Sequence, residues 1–590
     1  MSYDLYPGDP ADQAAKVAFL LQLHQYARMQ RVNFESQWEE SAALVWPEYR
    51  NTFSFGHNNA PGVKKTQYQV DSTGTMAAWR FAAIAEYMMT PFNMMWSRVS
   101  TDNRDLLKDR NARIYFDEWT RVLWTQRYKP AANFQGNQKT NWHSLGVFGN
   151  QGMLVEALDP GPGRGQKGLR YIAPSVGEIY LLVNHQNRVD GYIRHFRWTA
   201  RQAYQRWPET ISPVLKAALE KADSNTLFDF LEFVLPNTEY DPHAYFSSRS
   251  KPWSSIYVSI VGACILEESG YVSFPLAHGR YSIAPEEWYG RGWVQQVLPE
   301  LKTKNAQKEA FLKTAVLGGD PIRLLPEDGL FDFKATAGNY VYGGVSSEGK
   351  PLVHNLEAGD QRYTKEAMEE SDKIIHSAAF TDLFPLLMDR ANPPKSAREV
   401  IEMANQVAIF LTPLTSQFEY LGALIEREMY VIREIGLAPE MPASVKEAEG
   451  EFKYVYTGPM GRAVEAQGIA GYMRTRQLAN EAVQAGGDPS IMDIFDDDVA
   501  FPEIAEQQFA PTRWMASAKK LADKRKARAR AAAEDRRVKS LPGEAAMAKA
   551  RAISDKAQAG MNVGGVLSGT PEGGMPMMPG QSQPGGRQFG

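Results

Sequence analysis

The sequence predicts an α+β chain in which helical segments bracket a mostly antiparallel β region, and three observations predict it. Apolar residues recur every three or four positions from Ala11 to about Trp46 and again from Asp71. Between Gly152 and Ile283 that period gives way to short β-branched and aromatic runs cut by Gly, Pro, Asn and Asp. From Arg291 the helical period returns, interrupted by a small glycine-rich module between Asp320 and Asp360.

Taken in order, the second helix, "DSTGTMAAWRFAAIAEYMMTP", is expected to bury Met76, Trp79, Ile84 and Met88 before Pro91 stops it. The β region follows as "GMLVEAL", "LRYIAP", "GEIYLLVN", "GYIRHFRW", "FDFLEFVLP", "SIYVSIVGACILEE" and "YVSFPLAHGRYSI", with "TARQAYQRW" as a helical insertion. A helix from Arg291 to Leu317 sets Val294, Val297, Leu298, Leu301, Leu312 and Val316 on one side. Lys302, Lys304, Lys308 and Lys313 lie on the others, and Gly318, Gly319 and Pro321 end it.

The module from Asp320 to Asp360 is too small and glycine-rich to bury much core alone, so it is expected to pack against copies of itself. A shorter helix follows from Tyr363 to Phe380, then the irregular "TDLFPLLMDRANPPK". In "NPPKSAREVIEMANQ" Ser396 and Glu399 have the spacing of a capping box. Apolar spacing then runs through Val400, Met403, Val407, Leu411, Leu414, Phe418, Leu421, Ile425, Val431 and Ile435 to Gly436. That predicts one helix of about forty residues, ~60 Å long. The stretch from "FKYVYTGPMGRAVEAQ" to "FPEIAEQQ" reads as further helices. After it come the basic, alanine-rich "AKKLADKRKARARAAAEDRRVK", helical by propensity, and a Gly, Pro, Met and Gln tail.

Composition narrows the classes. A length of 590 residues with 43% hydrophobic content suits several domains with real cores. The net charge of -4 conceals a segregation, since Arg513 to Lys556 holds 14 basic against 5 acidic residues. The only cysteine, Cys264, lies in an apolar run, so no internal disulfide forms; a buried structural thiol in a reducing compartment is expected. The N-terminal stretch lacks a basic region followed by an apolar one, and no run approaches 18 apolar residues, so neither secretion nor membrane insertion is expected.

The chemical motifs are incomplete. Gly163, Gly165 and Gly168 spell G-x-G-x-x-G, but strand-like "LRYIAP" follows where a dinucleotide site needs a helix, so a hairpin loop is expected. "GVSSEGKP" falls one residue short of a phosphate loop because Pro351 stands where a hydroxyl must meet Mg²⁺. Asp493, Asp496, Asp497 and Asp498 lack the glycine and distal glutamate of a calcium loop and suit a solvated helix end or subunit contact. The nine histidines are scattered without metal-ligand spacing, and there is no G-x-S-x-G elbow. No cofactor is expected. The C-terminal basic run has two open readings: sequence-independent, salt-sensitive contact with phosphates, or a helix that solubilises the end.

Several stretches together resemble the portal, or head-to-tail connecting, proteins of short-tailed bacteriophages. They are "DSTGTMAAWRFAAIAEYMMTPFNMMW", "GEIYLLVNHQNRVDGYIRHFRWTARQA", "ESGYVSFPLAHGRYSIAPEEWYGRGWVQQVLPELKTKN", "NPPKSAREVIEMANQ" and "YTGPMGRAVEAQGIAGYMRTRQ". They occur in the family's order from about Asp71 to about Ala505. "KSAREV" stands where many relatives look more like T-A-T-E-V, which preserves the cap, and the basic and glycine-rich tail departs from the pattern.

The resemblance implies a portal fold: a wing (1–290), a stem helix (291–318), a clip (319–360), a second stem helix (361–380) and a tunnel loop (381–395). A long wing helix (396–437) and a helical crown (438–512) complete it, and composition adds a basic helical segment (513–558) and a flexible tail (559–590) beyond the resemblance. It further implies a non-enzymatic homododecameric ring at the unique capsid vertex, assembled in the host bacterial cytoplasm, through which double-stranded DNA is packaged and ejected. Implied partners are the terminase large subunit, tail adaptor and tail proteins, and the major capsid and scaffolding proteins, with no membrane. DNA-channel candidates are Lys302, Lys304, Lys308, Lys313, Met388, Arg390, Asn392 and Lys395, and partner-docking candidates in the clip are Arg323, Tyr340 and Tyr342. A tail adaptor or other head-completion ring protein, or a packaging ATPase, is the alternative.

Overall fold

The computed structural model describes residues 13–53, 62–158, 167–220, 225–319 (except 239, 242 and 244–249), 323–324, 346–350, 354–355, 362–381, 414–447, 452–495 (except 487), 500, 504 and 518–560. The chain divides into two compact units, Met1–Thr512 and Arg513–Gly590. The first unit opens with α1 (Gln13–Val45), α2 (Thr73–Met89), β1 (Ser97–Thr101), α3 (Arg104–Lys108), α4 (Arg110–Arg127) and α5 (Phe134–Phe148). Next come β2 (Asn150–Ala157), β3 (Leu169–Ile172), β4 (Ile179–Val183), β5 (Val189–Thr199), α6 (Ala200–Arg206), α7 (Pro213–Glu220), β6 (Leu227–Pro236), β7 (Trp253–Ser259), β8 (Cys264–Tyr271) and β9 (Leu276–Arg280). It continues with α8 (Trp293–Gln296), α9 (Leu298–Gly319), β10 (Arg323–Leu324), β11 (His354–Asn355), α10 (Arg362–Ala378), α11 (Gln417–Glu434), α12 (Ala443–Glu447), β12 (Phe452–Tyr456) and α13 (Pro459–Gln484). The described part of the second unit is α14 (Ala518–Gly560).

Strands β4 to β8 form an antiparallel meander in chain order. Alternation along each strand gives the sheet two apolar faces. Leu231, Phe233 and Leu235 pack with Val17, Leu20 and Leu23 of α1, whereas Phe230 and Tyr257 pack with Ala203, Trp207 and Leu215 on the other side. The run "SIYVSIVGACILEE" is two strands, β7 and β8, joined by a turn at Ile260–Ala263. Cys264 opens β8 and is half-buried, not enclosed as expected. A second sheet, β3-β2-β9, lies beside the main core, in which Trp38, Trp96, Trp119, Trp142 and Trp293 are fully buried. Gly149, at φ 75, turns α5 into β2, and a Cβ there would lie 2.4 Å from backbone atoms of Arg291 and Gly292.

Three expectations need correction. Helix α2 turns Gly74, Ala77, Ala78, Phe81, Ala82, Ile84, Ala85 and Met89 inward and leaves Met76 and Trp79 52% and 43% exposed. It packs closely against α5, which selects small residues at the contact and moves Trp79 to the rim, stacked on His143 at 4.4 Å. "FKYVY" is a strand, β12, pairing antiparallel with β1 from Ser97↔Tyr456 to Thr101↔Phe452. The described part of the predicted long helix is α11, preceded by a turn at Leu414–Ser416, while 396–413 lie outside the described residues. Helices α4 and α5 and strand β1 are further elements that the apolar pattern did not reveal.

Helix α11 is held by buried polar contacts. Arg127 of α4 donates three hydrogen bonds to Glu428 at 2.6–2.9 Å and one to Ser97 Oγ at 2.9 Å, both charges being buried. Tyr171 of β3 donates to Glu428 at 2.6 Å, and the Arg127 guanidinium lies 4.2 Å from the Trp96 ring centre. Arg427 donates to the Val155 carbonyl at 3.0 Å and to Ser273 at 2.8 and 3.1 Å. One buried ion pair therefore joins α4, β1 and β3 to α11.

Glu428→Gln leaves the Arg127 charge buried and unpaired, and should destabilise the fold by ~3 kcal/mol in chemical denaturation. Arg127→Met with Glu428→Leu should cost less than either charge-removing single change; additive costs would show that the pair is uncoupled. In the large sheet, Glu232 is buried beside Tyr192 and Tyr271, whose hydroxyls lie 3.4 Å from Oε1. Burial pushes its carboxyl up to about 7, against the pull of Arg194 and with help from Glu156. The folded chain therefore holds this proton more tightly than the unfolded chain. The associated stability is complete below about 4.5 and is lost as pH rises through about 7. Glu232→Gln should match the parent near pH 4 and exceed it by ~2–3 kcal/mol at pH 8; parallel profiles across that range would contradict the assignment.

Candidate functional site

The elements that carry the candidate residues meet where α9 and α10 join the body. Asp71 accepts from the Thr73 N–H and hydroxyl at 3.2 Å and so organises the start of α2. Gly74 follows, and a Cβ on it would lie 2.8 Å from Leu301 Cδ2, so the "DSTGT" segment lets α9 approach α2 closely. Asn305 of α9 accepts from the Val70 and Asp71 N–H groups at 2.8 and 3.1 Å and donates to the Tyr68 carbonyl at 3.2 Å.

Lys304 lies at the centre of this junction. Its side chain is 5% exposed, contacts Asp372 of α10, sits 3.5 Å from Asp71 and donates to Thr73 Oγ1 at 2.5 Å. One turn earlier, Ser371 of α10 donates to Glu300 of α9 at 3.0 Å. Lys304 is therefore an internal ion-pair lysine and is withdrawn from solvent; a spacing argument that groups it with its neighbours misses the two carboxylates reaching it from distant segments.

The other lysines of α9 face outward. Lys302 pairs with Glu40 at 2.7 Å, both side chains being 52% exposed, and Lys313 pairs with Glu309 one turn earlier at 2.7 Å. Lys308 lies 5.6 Å from the Phe311 ring centre. Arg323 is on β10, whose two residues pair antiparallel with β11. Tyr340, Tyr342, Met388, Arg390, Asn392 and Lys395 lie outside the described residues.

The apolar residues of α9 and α10 divide along their length. Near the body Leu298, Leu301, Met368, Ile375 and Ala379 are buried. Further out, Leu312 and Val316 are 44% and 70% exposed and form an open apolar surface with Val70. The apolar spacing sets Leu298, Leu301, Leu312 and Val316 on one side of α9; the helical period is right, but the depth of burial changes along the helix. Asp71, Asp372, Glu300, Ser371 and Asn305 were not singled out. The "DSTGT" motif was the available signal for Asp71, whereas nothing local marks Asp372 as its partner.

The motifs that imitate enzymes take other forms. Of the glycine-rich stretch, 163–166 lie outside the described residues; on either side of it β2 and β3 pair antiparallel, and Leu158 N–H donates to the Gly168 carbonyl at 2.8 Å. In "GVSSEGKP", Ser346 N–H donates to the Lys350 carbonyl at 2.8 Å and closes a turn. Among the described residues no group of His, Cys, Asp and Glu could hold a metal ion, and no helix is long and apolar enough to cross a membrane.

A family model described as "Bacteriophage head to tail connecting protein" matches residues 18–515. The chain is similar to the portal protein of Salmonella phage epsilon15, with 24% identity over 512 residues, covering 84% of this chain and 87% of the relative. It is also similar to the probable portal protein of Bordetella phage BPP-1, with 22% identity over 485 residues, covering 80% and 83%. Among solved structures it is similar to a chain of "Neck of empty GTA particle computed with C6 symmetry", with TM-score 0.35 and 14% identity, covering 74% of this chain and 95% of that one. The family match takes in the five-stranded sheet, α9, α10 and α11 alike, and on it the chain belongs to the bacteriophage head to tail connecting proteins.

Proposed function

We propose that this chain is the portal subunit of a phage virion. Its copies close into a dodecameric ring at one capsid vertex, and double-stranded DNA enters and leaves through the bore. The terminase motor docks on the ring first and the tail adaptor later. The capsid and scaffolding proteins surround it. The role is structural, and no catalytic group is needed for it.

The observation that carries this reading is the helix pair α9–α10. It is anchored at one end by Lys304, Asp71 and Asp372, while its far half leaves Leu312 and Val316 in water. A two-helix hairpin with so thin a seam has too little core to stand alone. The same apolar positions recur in every copy, so a head-to-tail interface whose rotation closes would cover them around a ring. In this reading α9 and α10 are the stem, 319–360 the clip and 381–395 the tunnel loop. Residues 396–437 link that loop through the wing to the crown at 438–512.

A bore for DNA must hold phosphates weakly enough to release them. Lys302 and Lys313 suit this, because their exposed ion pairs are worth ~1 kcal/mol or less and exchange readily with phosphate. Lys308, Arg390 and Lys395 are assigned to the same sparse basic lining, with Met388 and Asn392 as neutral wall residues. Arg323, Tyr340 and Tyr342 are assigned to partner docking at the clip. Lys304 is excluded because its charge is already neutralised inside the junction.

Leu312→Asp with Val316→Asp should break purified rings into smaller species in light scattering while leaving the circular dichroism of the subunit unchanged. Rings that persist would remove the observation on which the reading stands. Arg390→Ala with Lys395→Ala should leave ring assembly intact and lower the nuclease-protected genome per particle. Full genome content in those particles would take both residues out of the channel lining.

A further inference from the structure

The basic helix α14 has no part in the reading above, and the family match ends before it, at residue 515. From Lys520 to Ala533 it carries Lys520, Lys524, Arg525, Lys526, Arg528 and Arg530 against one acid, Asp523, and every side chain in that span is exposed. At 3.6 residues per turn these cations surround the helix and leave no apolar stripe for packing on a protein core. Lys520 and Lys524, Lys524 and Arg528, and Lys526 and Arg530 are like charges four residues apart, and each such pair opposes the helix by ~0.2–0.5 kcal/mol. A polyanion laid along the helix relieves that repulsion.

We propose that α14 is a second DNA-binding element, which grips the phosphate backbone of duplex DNA without reading its sequence. Several absences in this helix narrow the ligand. Phe, Trp and Tyr do not occur between Ala518 and Gly560, so there is no platform on which single-stranded bases could stack. The same lack of bulky residues along one side argues against insertion into an anionic membrane surface. Asn does not occur either, and the one Gln is Gln558, so the amide side chains that pair with adenine edges are missing beside the basic cluster. Small alanines between the cations allow close approach to a B-form major groove, which admits a helix, whereas the deep narrow groove of A-form RNA does not. The residues outside 513–556 are net acidic, so this tract concentrates its attraction for phosphate in one place. Binding is a property of each helix; a ring would add avidity without being required.

The test uses the full-length protein and a labelled random-sequence duplex of about 30 base pairs, with anisotropy read across a salt series. Lys524→Gln, Lys526→Gln, Arg528→Gln and Arg530→Gln together keep helix propensity and remove charge. This variant should bind at least tenfold more weakly at moderate salt, with a salt dependence shallower by about 2–4 in log–log slope. A charge-preserving variant, Lys524→Arg, Lys526→Arg, Arg528→Lys and Arg530→Lys, should bind as the parent does. Parental affinity and slope in the Gln variant would overturn the proposal, as would single strands or anionic phospholipid vesicles competing as well as unlabelled duplex. Light scattering of the same samples separates the two readings. Loss of rings with the binding difference intact counts only against the portal assignment; intact rings without the difference count only against α14.

Discussion

The buried pair of Arg127 and Glu428 is the constraint on which the architecture of the first unit depends. Neither charge would be tolerable alone in a core lined by Trp96 and Tyr171, so the carboxylate must be where the guanidinium is. That requirement fixes α11 against α4 and β3, and α11 in turn presents Arg427 to the Val155 carbonyl and Gln417 to Gln151 and the Arg280 carbonyl. Hydrogen bonds of this kind specify one arrangement where an apolar stripe would accept several. Segments far apart in sequence thereby become one body, with β12 completing the pairing to β1.

A second ion-pair junction performs a different task. Lys304, Asp71 and Asp372 fasten α9 and α10 to the start of α2, and Gly74 makes room for the contact. The helices are held firmly where polar partners surround them and are thinly supported beyond, where Leu312 and Val316 face solvent. An element that is rigid at its root and incomplete along its length suits a subunit whose remaining burial comes from identical neighbours. Electrostatics are divided along the chain in the same spirit: lysines needed for structure are neutralised internally, and those on the surface keep weak, exchangeable partners.

How much of this could be read in advance varied with the kind of interaction. Strands β2 to β6 and helices α1, α9 and α10 were legible because each has a clear apolar period and ends at Gly, Pro or a polar cap. Helices α4 and α5 were not. The second half of the latter, from Asn141 to Phe148, is buried on every side, including Asn141 and His143, so that half shows no polar face to set its period. The phase of α2 was misread for a related reason: large residues were assumed to point inward, whereas close helix contact favours Ala and Gly there and leaves Met76 and Trp79 at the rim.

The sequence by itself determined the class of the chain, the alternation of helical and β regions, the absence of complete enzyme motifs and the segregation of positive charge into α14. These follow from local periodicity and composition, which need no knowledge of partners in space. Tertiary structure decided that Lys304 is internal while Lys302 and Lys313 are exposed, that "FKYVY" is a strand, and that Arg127 belongs with Glu428. Each of those outcomes depends on a residue from a distant segment arriving at hydrogen-bond distance. Spacing along one helix cannot encode such an arrival, because the energy that selects it is released only when both groups leave water together.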